Sequence, residues 1–466
     1  SFVSLLLYRG RILLTEVIMK LEENRMHVVE IIAKKRDGQT LSKQEIEYFI
    51  HGVVSGAITD YQTAAWLMAV YIRGMTSQET VDLTLAMANS GDVLDLHDVI
   101  EYAVDKHSSG GVGDKTSLAV LPLVAACGVP LAKMSGRGLG FSGGTIDKLE
   151  SIRGFRVNLS GDEFREQVRR NQLALVGQSL SLAPADGVLY ALRDVTATVS
   201  SLPLISSSIM SKKIAAGADG IVLDVKTGSG AFMKTLDEAH ELAEIMVQIG
   251  RDAGRDVTAV LSDMNQPLGE AVGNALEVEE AIKTLRGEGP EDFLEHCLFI
   301  SSEMLKLAGR GEKWTDDAEN RALLEAKIAN GEAFGKLRLL VESQGGDVAM
   351  IDDPSRLPQS AMIEPYTAVR DGYLAKVEAM AAARAAFELG AGREKKTDAI
   401  DHAVGVKIYV KQGDQVSAGQ ELATIYANDP ARLPACCAAL DEVFTYSDSP
   451  VERLPLFYDV LRSRQG

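Results

Sequence analysis

The chain has 466 residues, 46% of them apolar and 24% charged, and carries a formal net charge of −18. That length supports two or three domains around a large core. The acidic balance excludes a nucleic-acid or anionic-membrane surface, since either calls for a basic face. A basic cluster inside such a chain therefore marks a local site for a small anion. Cys127, Cys297, Cys436 and Cys437 show no metal-ligand spacing and read as reduced thiols of a cytosolic protein.

The opening run SFVSLLLYRGRILLTEVIMKLEENRM is too short to span a membrane and is broken by Arg9 and Arg11. No small-residue cleavage site follows it. Residues 1–25 read as a helical or disordered extension, with Met19 and Met26 both suited as initiators. Residues 26–95 predict a small helical lobe. Ser42 with Glu45 forms a capping box before IEYFI, and Thr76 with Glu79 forms another before TVDLTLAMA. Between them DYQTAAWLMAVYI reads as an apolar helix capped by Asp60.

Over residues 96–183 the texture changes. YAVDKH and VPLAKMSG read as buried strands, and TSLAVLPLVAACG as a helix following a glycine loop. Residues 184–218 are again helix-rich and are expected to return to the first lobe. Residues 219–351 resume the α/β pattern with the strand IVLDVKTG. This strand–loop–helix repetition predicts a mixed, largely parallel sheet with ligands at the carboxyl ends of its strands. Pro354 and Pro358 mark 352–360 as a linker. Residues 361–466 predict a C-terminal α+β subdomain, in which HAVGVKIYVKQGDQVSAGQELATIYAND alternates like antiparallel β around Gly413 and Gly419.

Two glycine-rich loops carry the chemistry: DKHSSGGVGDKTS (105–117) and KMSGRGLGFSGGTIDKLES (133–151). Glycines let backbone N–H groups approach an anion, and Ser117 is placed to cap the helix beginning LAVLPL, aiming its positive end at the same point. Lys106 supplies a point charge, and Ser108, Ser117, Ser135 and Thr145 supply hydroxyls. Charge-assisted hydrogen bonds of about 1.5–3 kcal/mol each would hold a phosphate. A single loop of this kind is more simply a tight turn; two together, with Lys106 and Lys133, point to the anion. GLGFSG (138–143) matches G-x-G-x-x-G without the acidic partner a dinucleotide site needs, and GVGDKT fails P-loop spacing because Asp114 intervenes. In YALRDVTATVSSLPLISSSIMSKK, Ser208 and Lys212 share a helix face, and Arg193 lies upstream. Together they suit a planar ligand bearing carbonyl oxygens. On the residues alone, a solvated Lys212–Lys213 pair and an Arg193–Asp194 ion pair is the simpler reading.

These strings, with GQSLSLAPADGVLYALRDV, AAGADGIVLDVKTGSGAFM and SDMNQPLGEAVGNALEVEEAI, closely resemble the thymidine/pyrimidine-nucleoside phosphorylase family, from about Met26 almost to the C-terminus. The resemblance implies a helical domain beside an α/β domain with a closing cleft between, and reversible phosphorolysis of a pyrimidine nucleoside to free base and pentose 1-phosphate. Inorganic phosphate is the co-substrate, with no organic cofactor. It implies phosphate binding by Lys106, Ser108, Ser117, Ser135 and Thr145 with Lys133 and Met134 beside them, and base binding by Arg193, Ser208 and Lys212. His107 would face O2 of the base and Phe232 would pack against it; His107, Arg193 and Lys212 are the expected catalytic groups. One branch binds potassium, and the matching positions are Gly113, Lys115, Leu268, Ala271 and Glu280, with Lys115 where threonine is often found. A cytoplasmic homodimer joined through the helical domain is expected.

Two departures stand out: Phe141 and Ser142 replace the His and Thr of the usual GLGHTGGT. Phe141 removes an imidazole; Ser142 keeps a hydroxyl. KMSG looks more like the broad-specificity branch, accepting uridine, thymidine and deoxyuridine, than the strict thymidine branch. The rival readings are a strict thymidine phosphorylase, a phosphoribosyltransferase on the related fold, and a non-catalytic nucleoside-binding protein.

Overall fold

The computed structural model describes residues 26–138, 143–177, 181–393 and 398–463. Residues 1–25, and Phe141 and Ser142, lie outside the described residues. The chain divides into two compact units, one taking residues up to Leu94 together with 180–215, the other 95–179 together with 216–466.

The first unit is built of helices: α1 (Val28–Arg36), α2 (Lys43–Ser55), α3 (Asp60–Arg73), α4 (Ser77–Ala88), α8 (Pro184–Val195) and α9 (Leu202–Ala215). Capping boxes open α2 at Ser42–Glu45 and α4 at Thr76–Glu79, as their spacing predicts. On α3 the cap is Thr59 rather than Asp60, which is the first helical residue. Gln62 Oε1 accepts from the Thr59 backbone N–H at 3.1 Å and from its hydroxyl at 3.0 Å, leaving Asp60 to act only on the helix dipole. Trp66 stacks on Phe49 with centroids 4.4 Å apart. Around them Ile46, Leu67 and Leu83 are buried, with Leu189 from α8 and Leu204 from α9. Each such side chain contributes about 1.5–3 kcal/mol of burial energy. Glu79 ties three segments together, accepting at 2.8 Å from Lys35 Nζ, Leu41 N and Thr76 N. Burial would raise its pKa, but these donors hold it below the usual value.

The second unit begins with β1 (Val104–Ser108), α5 (Thr116–Ala126), β2 (Leu131–Ser135), α6 (Thr145–Leu149), α7 (Gly161–Asn171) and β3 (Leu173–Gly177). It resumes with β4 (Gly220–Thr227), α10 (Leu236–Asp252), β5 (Asp256–Asp263), β6 (Ala271–Val272), α11 (Asn274–Leu285) and α12 (Glu291–Gly309). Helices α13 (Asp317–Ala329), α14 (Glu332–Ser343) and α15 (Ala349–Asp352) lead to the C-terminal region. That region holds β7 (Met362–Thr367), β8 (Gly372–Val377), α16 (Ala379–Leu389), β9 (Gly405–Ile408), β10 (Gln415–Val416), β11 (Glu421–Ala427), α17 (Leu433–Val443), β12 (Phe444–Ser447) and β13 (Phe457–Arg462).

The central sheet runs β1-β4-β5-β13, parallel across its first three strands, with Lys106 opposite Val222 and Val222 opposite Thr258. Strand β13 closes the edge antiparallel to β5. Strands β2 and β3 form a separate parallel pair. Every residue of β4 is buried, as a central parallel strand requires, Asp224 and Lys226 included. Helix α5 is also buried on all sides. The C-terminal strands form antiparallel sheets, β6-β9-β11-β7 and β10-β8-β12. Parallel β1 and β2 deliver their following loops, the two glycine-rich ones, from their carboxyl ends.

Candidate active site

Side chains alternate along β1, so Lys106 and Ser108 leave one face and Asp105 and His107 the other. Lys106 is fully buried, and its Nζ has no hydrogen-bond partner among the described residues. Burial lowers its pKa, while Asp114 and Asp224 favour the charged form. The Ser108 hydroxyl donates to Asp114 and accepts from Gly110 N at 3.2 Å. Asp114 also accepts from Thr116 N at 3.2 Å and Thr116 Oγ1 at 2.7 Å. Ser117 is therefore not the cap of α5 but its second residue; the Asp114 carboxylate already takes the first helical N–H. Burial would raise Asp114, yet Lys106, Lys226 and Lys148 hold it well below the usual carboxylate range.

The second loop is held from below. Ser135 ends β2 and Thr145 opens α6. Asp147 accepts from Gly138 N at 2.7 Å and Gly144 N at 3.1 Å, and pairs with Arg393 at 2.6 Å. Lys148 donates to the Asp114 carbonyl at 2.6 Å and pairs with Glu277 at 2.7 Å, which fastens the second loop to the first. Lys133 lies 3.3 Å from Asp105 and donates to the Lys106 carbonyl, so it braces β2 against β1 with its ammonium on protein groups. Met134 is buried beside it. Phe232 is 55% exposed, and its ring would lie 3.9 Å from a Cβ on Gly110.

Beneath Lys106 lies a cluster the sequence pattern did not single out. Asp224 accepts from Ser262 Oγ at 2.6 Å and lies 2.8 Å from Lys226 Nζ and 2.9 Å from His296 Nε2. Burial opposes ionisation of Asp224, but Lys226 and His296 keep its pKa low. His296 is held below the usual value by burial and Lys226. The Asp and Lys interrupting IVLDVKTG were a usable signal, since charges on a strand buried on both faces must be paired. His296 gave none: FLEHCLFI reads as an ordinary core helix.

In the helical unit, Lys212 Nζ pairs with Asp186 at 2.5 Å and donates to Ser208 Oγ at 2.8 Å. Burial lowers the Lys212 pKa and Asp186 opposes that shift. Arg193 directs three of its five N–H donors to the carbonyls of Thr198 at 3.4 Å, Leu204 at 3.0 Å and Val199 at 2.6 Å. The simpler reading of this segment is thus corrected. Lys213 is buried rather than solvated, and Arg193 binds backbone carbonyls of the α8–α9 connection. A cation buried among carbonyls orders that connection and keeps a positive face beside Lys212.

The five residues matched to a potassium site also come together. Lys115 Nζ donates to Leu268 O at 2.7 Å and Ala271 O at 3.3 Å and pairs with Glu280. A Cβ on Gly113 would lie 2.6 Å from the same Leu268 oxygen. These residues do not fit the ion. The oxygens that would coordinate it already bind an ammonium, and a second positive charge there would face strong repulsion at low dielectric.

Residues 101–334 match the glycosyl transferase family a/b domain, residues 29–91 the helical bundle domain of that family, and residues 373–447 the pyrimidine nucleoside phosphorylase C-terminal domain. A pyrimidine-nucleoside phosphorylase of Geobacillus stearothermophilus is 54% identical over 434 residues, covering 93% of this chain and 99% of its own. Proteins of that name from Staphylococcus haemolyticus and Bacillus subtilis are 54% identical over 403 residues, 86% of this chain and 92% of theirs. The crystal structure of anthranilate phosphoribosyltransferase from Thermus thermophilus superimposes with a TM-score of 0.56 at 19% identity, over 67% of this chain and 99% of that one, a likeness of fold alone. On these matches, which span the helical, α/β and C-terminal parts in order, the chain belongs to the pyrimidine-nucleoside phosphorylase family of glycosyl transferases.

Proposed function

We propose that this protein catalyses reversible phosphorolysis of pyrimidine nucleosides, uridine and thymidine alike. The observation that carries the reading is the fully buried Lys106 ammonium with no described partner, beside Ser108 and two glycine-rich loops. A buried cation of that kind is costly unless an anion arrives to meet it. Phosphate held there by Lys106, Ser108, Ser117, Ser135 and Thr145 attacks C1′. The new C1′–O bond forms as the C1′–N1 bond breaks, and the electron pair moves into the base. Lys212 and Arg193 stabilise that charge, Ser208 orients Lys212, and His107 supplies a proton toward O2. Phe232 offers an exposed ring for the base to stack on. No carboxylate nucleophile is needed, because phosphate fills that role.

A homodimer through the helical unit is part of the same reading. Tyr61, Met68 and Ile72 lie at i, i+7 and i+11 on α3 and are 75%, 36% and 67% exposed, an apolar stripe suited to a second copy. Sedimentation would give twice the chain mass. A cytoplasmic setting accords with four free cysteines.

The deciding assay is base release from uridine, thymidine and deoxyuridine, followed by ultraviolet absorbance with and without phosphate. Comparable rates on uridine and thymidine that vanish without phosphate support the proposal. Turnover of deoxynucleosides alone makes it a strict thymidine phosphorylase. Consumption of phosphoribosyl pyrophosphate instead would replace the reading with a phosphoribosyltransferase.

A further inference from the structure

We propose that the Lys115 ammonium is a built-in substitute for a bound monovalent cation, so that the first glycine loop is assembled without potassium. Lys115 immediately precedes α5, and its side chain is fully buried. Its Nζ meets the carbonyls of Leu268 and Ala271, the Glu280 carboxylate and the face of the Phe293 ring, 4.9 Å from the centroid. Carbonyl oxygens plus one carboxylate are the donor set of a weakly hydrated monovalent cation, and an ammonium satisfies it with directed N–H bonds.

The turn at 267–271 is built to receive that ammonium. Glu280 accepts from Ala271 N at 2.8 Å and from Glu270 N at 3.1 Å, while Lys115 takes carbonyls of the same turn. Asp292 accepts from Gly269 N at 3.0 Å, while Lys411 donates at 2.6 Å to the carbonyls of Pro267 and Gly269 and pairs with Asp292 at 2.9 Å. Two carboxylates bind the N–H groups and two ammoniums bind the carbonyls, so the charges of these four groups cancel without an ion. Gly269 adopts φ +67°, and a Cβ there would come within 2.6 Å of Lys115 Nζ. The turn therefore admits the lysine only because residue 269 has no side chain. The lysine links two separated segments: Gly113 and Asp114 on the phosphate side, and the turn that feeds α11 on the other.

The test is melting temperature and base release at constant ionic strength, with choline replaced stepwise by potassium, for the full-length protein and for Lys115→Thr and Lys115→Ser. The wild-type protein is expected to show no saturable response to potassium in either readout. Removing the ammonium leaves the buried Glu280 carboxylate with its backbone N–H donors but no ion pair. The variants are thus expected to melt roughly 5 °C lower in choline and to recover saturably with potassium or rubidium but not lithium. Their rates are expected to fall about tenfold in choline and return with the same ions. A saturable gain of wild-type melting temperature in potassium overturns the proposal, as does failure of both variants to gain stability from potassium. Melting reads this outcome whether or not the protein cleaves nucleosides, so the two proposals fail separately.

Discussion

The two clusters of proposed site residues differ in how their buried cations are compensated. In the α/β unit, the buried Lys106 Nζ has no hydrogen-bond partner among the described residues, and the Asp114 carboxylate that favours its charged form is hydrogen-bonded to Ser108 and Thr116. In the helical unit, Lys212 is already satisfied by Asp186 and Ser208, and Arg193 by three carbonyls. A dianion brings enough charge to meet a bare ammonium. A neutral pyrimidine does not, and the groups proposed to read it are compensated beforehand and held in place. On these proposed roles, the phosphate-binding ammonium is left without a hydrogen bond, and the base-binding cations are satisfied within their own unit.

The largest expected effect comes from Lys106→Met. It removes a buried ammonium that has no hydrogen-bond partner among the described residues, together with the proposed phosphate contact. Phosphate-dependent turnover falls by about 10³-fold, while the melting temperature holds or rises, because no hydrogen bond is broken and Lys226 and Lys148 still face Asp114. Lys212→Met breaks the comparison from the other side, since Asp186 then stays buried and unpaired. Activity falls by about 10²-fold and stability by about 3 kcal/mol, read by denaturant titration alongside kcat/KM. A rise in stability for Lys212→Met, or a fall for Lys106→Met, would undo the contrast.

Smaller effects sharpen it. Burial lowers the Lys106 pKa, and the proposed phosphate binding needs the protonated form, which is lost as pH rises through that pKa. The alkaline limb of kcat/KM for phosphate is therefore expected below the free-lysine value of about 10.4, measured across a pH series at limiting phosphate. Asp114 and Asp224 have depressed pKa values, so the stability they confer is complete above about pH 4 and is lost as pH falls toward their folded values. Acid melts of Asp114→Asn should show a shallower pH slope than the wild type. Ser208→Ala removes one of the two groups holding Lys212 and leaves Asp186 in place. A rise of about three- to tenfold in nucleoside KM with little change in melting is expected.

How much of this could be read from the sequence depended on the range of the interaction. Ser42–Glu45 and Thr76–Glu79 are three-residue spacings and read directly. Strands β2 and β4 announce themselves as largely apolar runs before glycine-bearing loops, and β1 by the short apolar lead-in YAV before its charged residues. The pairing of Lys212 with Ser208 is one helical turn, and it too was legible. The cap of α5 was not, because a carboxylate preceding the N-cap residue does the capping and leaves Ser117 without that role. Nor was the link from Lys148 to the Asp114 carbonyl, 34 residues apart. His296 meets Asp224 across 72 residues, and although the charge on β4 signalled that a partner was needed, nothing local named His296. Lys115 lay between these cases. Its competition with a cation was foreseeable from charge, but only the turn at 267–271 shows where its ammonium ends.

Strand β13 has a consequence for how the chain is made. It covers the outer edge of β5, and the Ser463 hydroxyl that accepts from Val257 N comes 206 residues later. At about 5–20 residues per second of synthesis, that edge stands open for on the order of ten to forty seconds. Throughout that interval β5 presents its unpaired backbone to any neighbouring nascent chain. The sheet that carries Lys106 is thus the last to close, and crowding of ribosomes on one message is the condition under which it would most readily mispair.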